Sequence, residues 1–266
     1  MKYSFMSFSC PELTLEEMLA LARRFGYDGI EPRMDAGHRH GIELTAHPTT
    51  RRMLRQMAAD SAVALACLAT SCKYADPATT KGQIDATCEC IDLAADVGCP
   101  RLRVFGGAFP DSLSREQAIG VLAGALRAVA DQAADRGVTV CLETHDYWCD
   151  PLHVAEVMKR VSHRAVGVNW DVMHPVRQAN ATIEHAFETL RPWIRHLHIH
   201  DGYNRPDQGG LAPIGQGDID HRRVVQLLKA AAYDGYLSGE WINWEAYETC
   251  LPRELATMKG YEGGTR

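Results

Sequence analysis

Glu143, Asp171, His198 and Glu240 each close a short β-branched or apolar run, in the segments VTVCLETH, VGVNWDVMHP, IRHLHIHDG and YLSGEW. Three carboxylates and an imidazole form an oxygen and nitrogen donor set suited to one divalent ion: Mn²⁺, Mg²⁺, Zn²⁺, Fe²⁺ or Co²⁺. In a parallel barrel the C-terminal ends of all strands open on one mouth, so four separate segments deliver four ligands to one place. A carboxylate that closes a buried strand needs a partner. For Glu143 and Glu240 the alternatives to a metal are a buried salt bridge, to Arg103 for example, or exposure at the rim.

The same segments carry further polar groups. His196, His198 and His200 are spaced by two, so in a strand they share a face, stacked from the barrel interior towards its mouth. Of the three, His198 is the expected ligand, His200 is placed for substrate, and His196 reads as a core histidine; a register two residues out exchanges these roles. His174 follows Asp171 by three, where the strand gives way to a loop, and reads as a substrate contact or as a loop histidine with no role. Glu31 ends the second strand and could hydrogen-bond a ligand or a buried arginine. Lys73, Arg103 and His145 also fall within reach of the mouth. Tyr147, Trp148, Trp241 and Trp244 could stack on the C–H face of a sugar, or pack between loops or against a second copy of the chain.

The elements that must position these groups alternate. Four helix-to-strand junctions look alike: RRFGYDGIE, AADVGCPRLRVF, AADRGVTVCLE and AAAYDGYLSGE. Each ends an amphipathic helix on Gly or Asp-Gly and then enters a β run. Strands are predicted at 3–8, 28–32, 63–69, 101–105, 138–143, 166–171, 195–200 and 236–241. Helices are predicted from Thr14, which forms a capping box with Glu17, and at 48–60, 78–97, 114–136, 151–162, 182–190, 220–233 and 252–260. Eight βα units at about 33 residues each favour a closed (β/α)₈ TIM barrel, an α/β fold of one domain spanning residues 1–266 with a frayed tail at 259–266. No G-x-G-x-x-G follows the first strand, which argues against a dinucleotide fold. The longest loop, 201–220, follows the seventh strand on the catalytic face and reads as a lid or binding loop.

Composition narrows the function classes. The chain has 266 residues, 46% of them hydrophobic, enough for a large core. A net charge of −6 gives no electrostatic footprint for nucleic acid. No apolar run is long enough to span a membrane, and the first ten residues do not read as a secretory leader, so the expected compartment is the cytoplasm. Nine cysteines without CxxC spacing indicate no disulfide framework. Cys72 and Cys149 fall near the expected mouth.

In order along the chain, GYDGIE, LRVFGG, LETHD, the D-x-x-H of DVMH, HLHIHDG, GQGDID and YDGYLSGEW make the sequence similar to the xylose isomerase-like TIM barrel superfamily of sugar-phosphate isomerases and epimerases. The resemblance implies one divalent ion, manganese among the candidates, held by Glu143, Asp171, His198 and Glu240. It implies that His174 and Arg205 contact substrate oxygen, and that His200 stands where many relatives carry a lysine. It also implies a carbohydrate isomerase or epimerase in which Glu143 and Glu240 move a proton next to a carbonyl through a metal-stabilised enediolate. The partner is then a small sugar or sugar derivative, with neither nucleic acid nor membrane, in a chain that can form a homo-oligomer. The loop after the seventh strand has no surplus of Lys or Arg, which favours an unphosphorylated or weakly anionic ligand. Three alternatives share the barrel: an inosose dehydratase-like lyase, an apurinic-site endonuclease, and a non-catalytic sugar-binding barrel.

Overall fold

The computed structural model describes residues 1–203 and 210–264. Its main sheet holds strands β1 (Lys2–Met6), β2 (Gly29–Glu31), β3 (Ala64–Leu65), β4 (Leu68–Lys73), β5 (Arg101–Phe105), β6 (Thr139–Glu143), β7 (Val166–Asp171), β8 (Ile194–Ile199) and β11 (Tyr236–Gly239). These run in the order β3-β2-β1-β11-β8-β7-β6-β5-β4, and neighbours pair in parallel. β3 and β4 are the single third strand expected from the sequence, broken at Ala66-Cys67 and continuing four residues past the predicted end. The break closes the ring: Ala66 N–H donates to Ile30 O, Ala69 N–H donates to Pro32 O, and Arg33 bridges Ala69. The fold is the predicted (β/α)₈ TIM barrel.

Local chemistry accounts for the helices that surround it. Helix α1 (Leu15–Phe25) starts on the Thr14–Glu17 capping box and stops at Gly26, whose φ of 83° suits glycine. Helices α2 (Pro48–Ser61), α3 (Thr80–Val97) and α4 (Arg115–Asp135) follow, and α5 (Pro151–Val161) opens with Asp150 capping Leu152 N–H ahead of an N1 proline. A short helix α6 (Met173–Ala179) replaces the loop expected after β7, because the Asp171 carboxylate accepts the first free amides of that turn. Helices α7 (Ile183–Leu190), α8 (His221–Ala230) and α9 (Tyr247–Gly263) complete the ring. α9 is longer than predicted. Residues 259–263, expected to fray, are helical, and Glu262 holds the Met1 ammonium at 3.1 Å and the Tyr3 hydroxyl at 2.9 Å. Among the described residues no helix is long and apolar enough to cross a membrane.

After β8 the chain forms a small antiparallel ribbon, β9 (Asp201–Gly202) with β10 (Leu211–Ala212). Arg205, expected to contact substrate, lies outside the described residues. The described part of this loop is organised by one side chain. Buried Asp201 accepts the backbone N–H groups of Gly202 and Gly215 at 2.8 Å and of Gly217 and Ile219 at 3.1 Å. A Cβ on Gly217 would sit 2.2 Å from Asp201 Oδ1, so this close approach requires glycine. Asp201→Ala is expected to leave those amides without acceptors and to lower the unfolding free energy by about 2–4 kcal/mol. Urea unfolding followed by circular dichroism measures this, and an unchanged midpoint would show that the loop does not depend on Asp201.

Candidate active site

Strand register brings the polar ends together. Asp171 pairs with His198 across β7–β8, and His198 pairs with Ser238 across β8–β11. Glu240, one residue past β11, donates its backbone N–H to Ile199 O. One donor atom each from Glu143, Asp171, His198 and Glu240 lies within 4.8 Å of the others, and all four side chains are buried. An octahedral ion with oxygen bonds of about 2.1 Å sets its ligand atoms about 3–4 Å apart, so these residues fit a divalent cation in spacing and donor type.

The three histidines of β8 occupy three levels. His196, the deepest, donates from Nε2 to Glu31 Oε2 at 2.7 Å. His198 Nε2 meets Glu31 Oε1 at 3.0 Å, while its Nδ1 faces Glu143 Oε1 at 3.1 Å and Glu240 Oε2 at 3.3 Å. With Nε2 protonated towards Glu31, the Nδ1 lone pair is left for a cation, the usual arrangement of a carboxylate behind a ligating histidine. Glu31, which the sequence offered as a partner for a ligand or a buried arginine, places both its oxygens against imidazoles below the mouth. His200 is also committed, its Nε2 lying 2.7 Å from Asp171 Oδ2. The Asp171 Oδ1 atom accepts the amides of Met173 and His174 at 2.9 Å.

Arg103 is the buried cation of the site. Its Nε lies 3.1 Å from Glu143 Oε2, its Nη1 donates to Thr70 O at 2.8 Å, and its guanidinium stacks 4.0 Å from the Phe105 ring. Both carboxylate oxygens of Glu143 are thus engaged. Thr144, not singled out in the sequence, links β6 to β7: its hydroxyl accepts Asp171 N–H at 2.9 Å and donates to Asp171 O at 3.1 Å. Arg33, also not singled out, sits half-buried two residues beyond Glu31. It donates to Ser71 Oγ at 2.7 Å, and burial and the Arg103 charge lower its pKa. A position just past a strand end, as in Arg33, is the signal that could have found it.

On the other side of the mouth, the His174 ring lies 4.4 Å from His145 and 5.6 Å from His200, both edge-to-face. Burial holds the His174 pKa below its ordinary value. Burial pulls His145 down as well, but its contact with Asp146 at 2.6 Å and the charges of Glu143 and Asp171 outweigh this and raise it to about 9. Burial opposes ionisation of Glu31 and Glu240 too. Neighbouring imidazoles nonetheless hold Glu31 well below the usual carboxylate range and bring Glu240 to about 2. Asp146, which orients His145, has a left-handed backbone, with φ of 52°.

A cleft of about 400 Å³ beside these histidines is lined by Lys73, Gly107, Asp146, Tyr147 and Gln178. Trp148 is not at its surface. It is fully buried and donates from Nε1 to Gly107 O at 2.8 Å. Trp241 is also buried, Trp244 packs on the core under Arg253, and only Tyr147 is largely exposed. The nine cysteines are free thiols; Cys72 and Cys149 are buried.

The profile of the xylose isomerase-like TIM barrel family matches residues 19–261. The chain belongs to that family. It is 23% identical to a 3-dehydroshikimate dehydratase of Bacillus anthracis across 92% of both chains. Its backbone is similar to that of a D-psicose 3-epimerase, with a TM-score of 0.81, 15% identity, and coverage of 99% of this chain and 100% of that one. It is also similar to a xylose isomerase-like TIM barrel protein of Mycobacterium smegmatis in complex with magnesium, with a TM-score of 0.76, 17% identity, and coverage of 100% and 98%. At these identities the two structures speak for the fold. Glu240→Ala is expected to abolish binding of Mn²⁺ or Mg²⁺. Glu31→Gln is expected to weaken it about 10–100-fold by loosening His198, with the fold intact by circular dichroism. Calorimetric titration of metal into the chelator-stripped protein checks both, and unchanged affinity in Glu31→Gln would remove Glu31 from the centre.

Proposed function

We propose that this protein is a divalent-metal-dependent enzyme that removes the proton next to the carbonyl of a small polyhydroxylated substrate and expels the β-hydroxyl as water. The observation that carries this reading is the His145–His174 pair. The two rings meet edge-to-face with centroids 4.4 Å apart, and each has its own partner, Asp146 at 2.6 Å from His145 and the Gln178 amide at 3.2 Å from His174, an arrangement suited to an acid and a base working in one site. The Gln178 contact is made through His174 Nδ1, and among the described residues its Nε2 makes no hydrogen bond, which suits a neutral base. His145, held protonated by Asp146, would give its proton to the departing hydroxyl. The C–H electron pair then forms the new double bond as the C–O bond breaks, and the proton and hydroxide leave as water. A divalent ion held by Glu143, Asp171, His198 and Glu240 would supply Lewis-acid polarisation of the carbonyl. Similarity to a dehydratase over nearly the whole chain supports the same reading.

The isomerase or epimerase reading rests on a different observation: Glu143 and Glu240 approach His198 Nδ1 together, where two carboxylates could trade a proton across a substrate. It requires Glu143 to release an oxygen from Arg103 or from His198. Enolisation is common to both readings, and its outcome separates them. In D₂O, metal-loaded protein is expected to convert 3-dehydroshikimate or an inosose to a product lighter by one water, with little deuterium in recovered ketohexoses. Mass spectrometry that instead found deuterated ketose and no dehydration would establish the epimerase reading. His174→Gln is expected to reduce kcat by about 10²–10⁴-fold, and near-normal turnover would rule His174 out as the base.

A further inference from the structure

A second concavity lies at the opposite end of the barrel. It has a volume of about 550 Å³, within the range of small-molecule sites, and it is walled by α2 and by the N-terminal ends of β1, β3, β5 and β11. Roughly 13 Å of strand separates its floor at Tyr236 from Glu240 at the mouth. Lys2, Arg55 and Arg101 line it with one carboxylate, Asp234, while a second, Asp28, acts on the Tyr236 ring from beside it. Among the described residues no ion pair neutralises any of the three cations. Arg101 spends Nε on Arg195 O at 2.8 Å, and Arg55 makes only a 3.4 Å contact with Ala95 O. Lys2 and Arg101 stand over the same Tyr236 ring, 5.4 and 5.9 Å from its centroid.

Like charges gathered on one ring and one hollow repel each other, whereas charges on a convex surface separate into water. Small residues at Ala58, Ala62, Ala64 and Gly235 keep the hollow open beneath them. From this convergence we propose a ligand site on the N-terminal face of the barrel for a small organic dianion of the phosphate monoester type. Three cations outnumber the carboxylates Asp234 and Asp28 around the hollow and so favour an anionic group, and the volume leaves room for the organic part. The site is separate from the metal centre and does not depend on the reaction proposed there.

The test is calorimetric titration of the metal-loaded protein with inorganic phosphate, AMP and uncharged adenosine. AMP is expected to bind saturably and more tightly than phosphate, to weaken with added salt, and to bind about tenfold or more weakly to Arg55→Glu, whose side chain lies on the exposed face of α2. Lys2→Glu is expected to act in the same direction, and both variants should keep the metal content of the parent. The proposal fails if AMP binding is absent at millimolar concentration, if adenosine binds equally well, or if both charge reversals leave the affinity unchanged. Loss of AMP binding in Glu240→Ala, with Arg55→Glu unaffected, would place the anion at the mouth instead.

Discussion

The structure turns on an excess of buried carboxyl groups at the C-terminal end of the barrel. Glu143, Asp171 and Glu240 are buried at the mouth and Glu31 just below it, and Arg103 is the buried arginine that pairs with one of them, Glu143. An uncompensated carboxylate in such a place is strongly destabilising, so the surrounding architecture supplies compensation at every level. Glu31 takes two imidazoles, Asp171 takes two amides and an imidazole, and His198 stands between Glu31 on one edge and Glu143 and Glu240 on the other. A divalent cation among Glu143, Asp171, His198 and Glu240 would complete the compensation in a way hydrogen bonds alone do not.

That requirement explains features that otherwise look unrelated. The two-residue spacing of the β8 histidines places one imidazole at each depth where a carboxylate must be met. The Thr144 bridge between β6 and β7 fixes Asp171 relative to Glu143. The α6 helix exists because Asp171 caps it, and it carries His174 over the site. The Asp201 turn then holds the next segment in place without drawing on the metal-centre groups.

The centre's two flanks differ in character. One presents Arg103 and, further out, Arg33; the other presents His145, His174 and the cleft lined by Lys73. Glu143 is tied to the arginine flank and the free imidazole edge is on the opposite one. The proposed proton transfer through histidines draws on this asymmetry. The outer face at the N-terminal end is charged in the opposite sense, with Lys2, Arg55 and Arg101 around Tyr236.

By itself, the sequence determined the barrel and the convergence of Glu143, Asp171, His198 and Glu240, because βα alternation sends every strand end to one face and a polar residue closing an apolar run marks that face. The Thr14–Glu17 capping box and the Gly stops located several helix boundaries for the same local reason. It did not determine what each side chain touches there. Glu31 read as a contact for a ligand or a buried arginine, and only closure of the barrel brought it against His196 and His198. Trp148 read either as a stacking platform or as loop packing, and only the approach of Gly107 made it core. The break that splits the third strand and the contact of His200 with Asp171 likewise depend on partners distant in sequence, whereas the helix after Asp171 rests on a local cap. Local propensity is written in neighbouring residues, whereas the pairing of buried charges is settled only when the closed ring sets distances between strands.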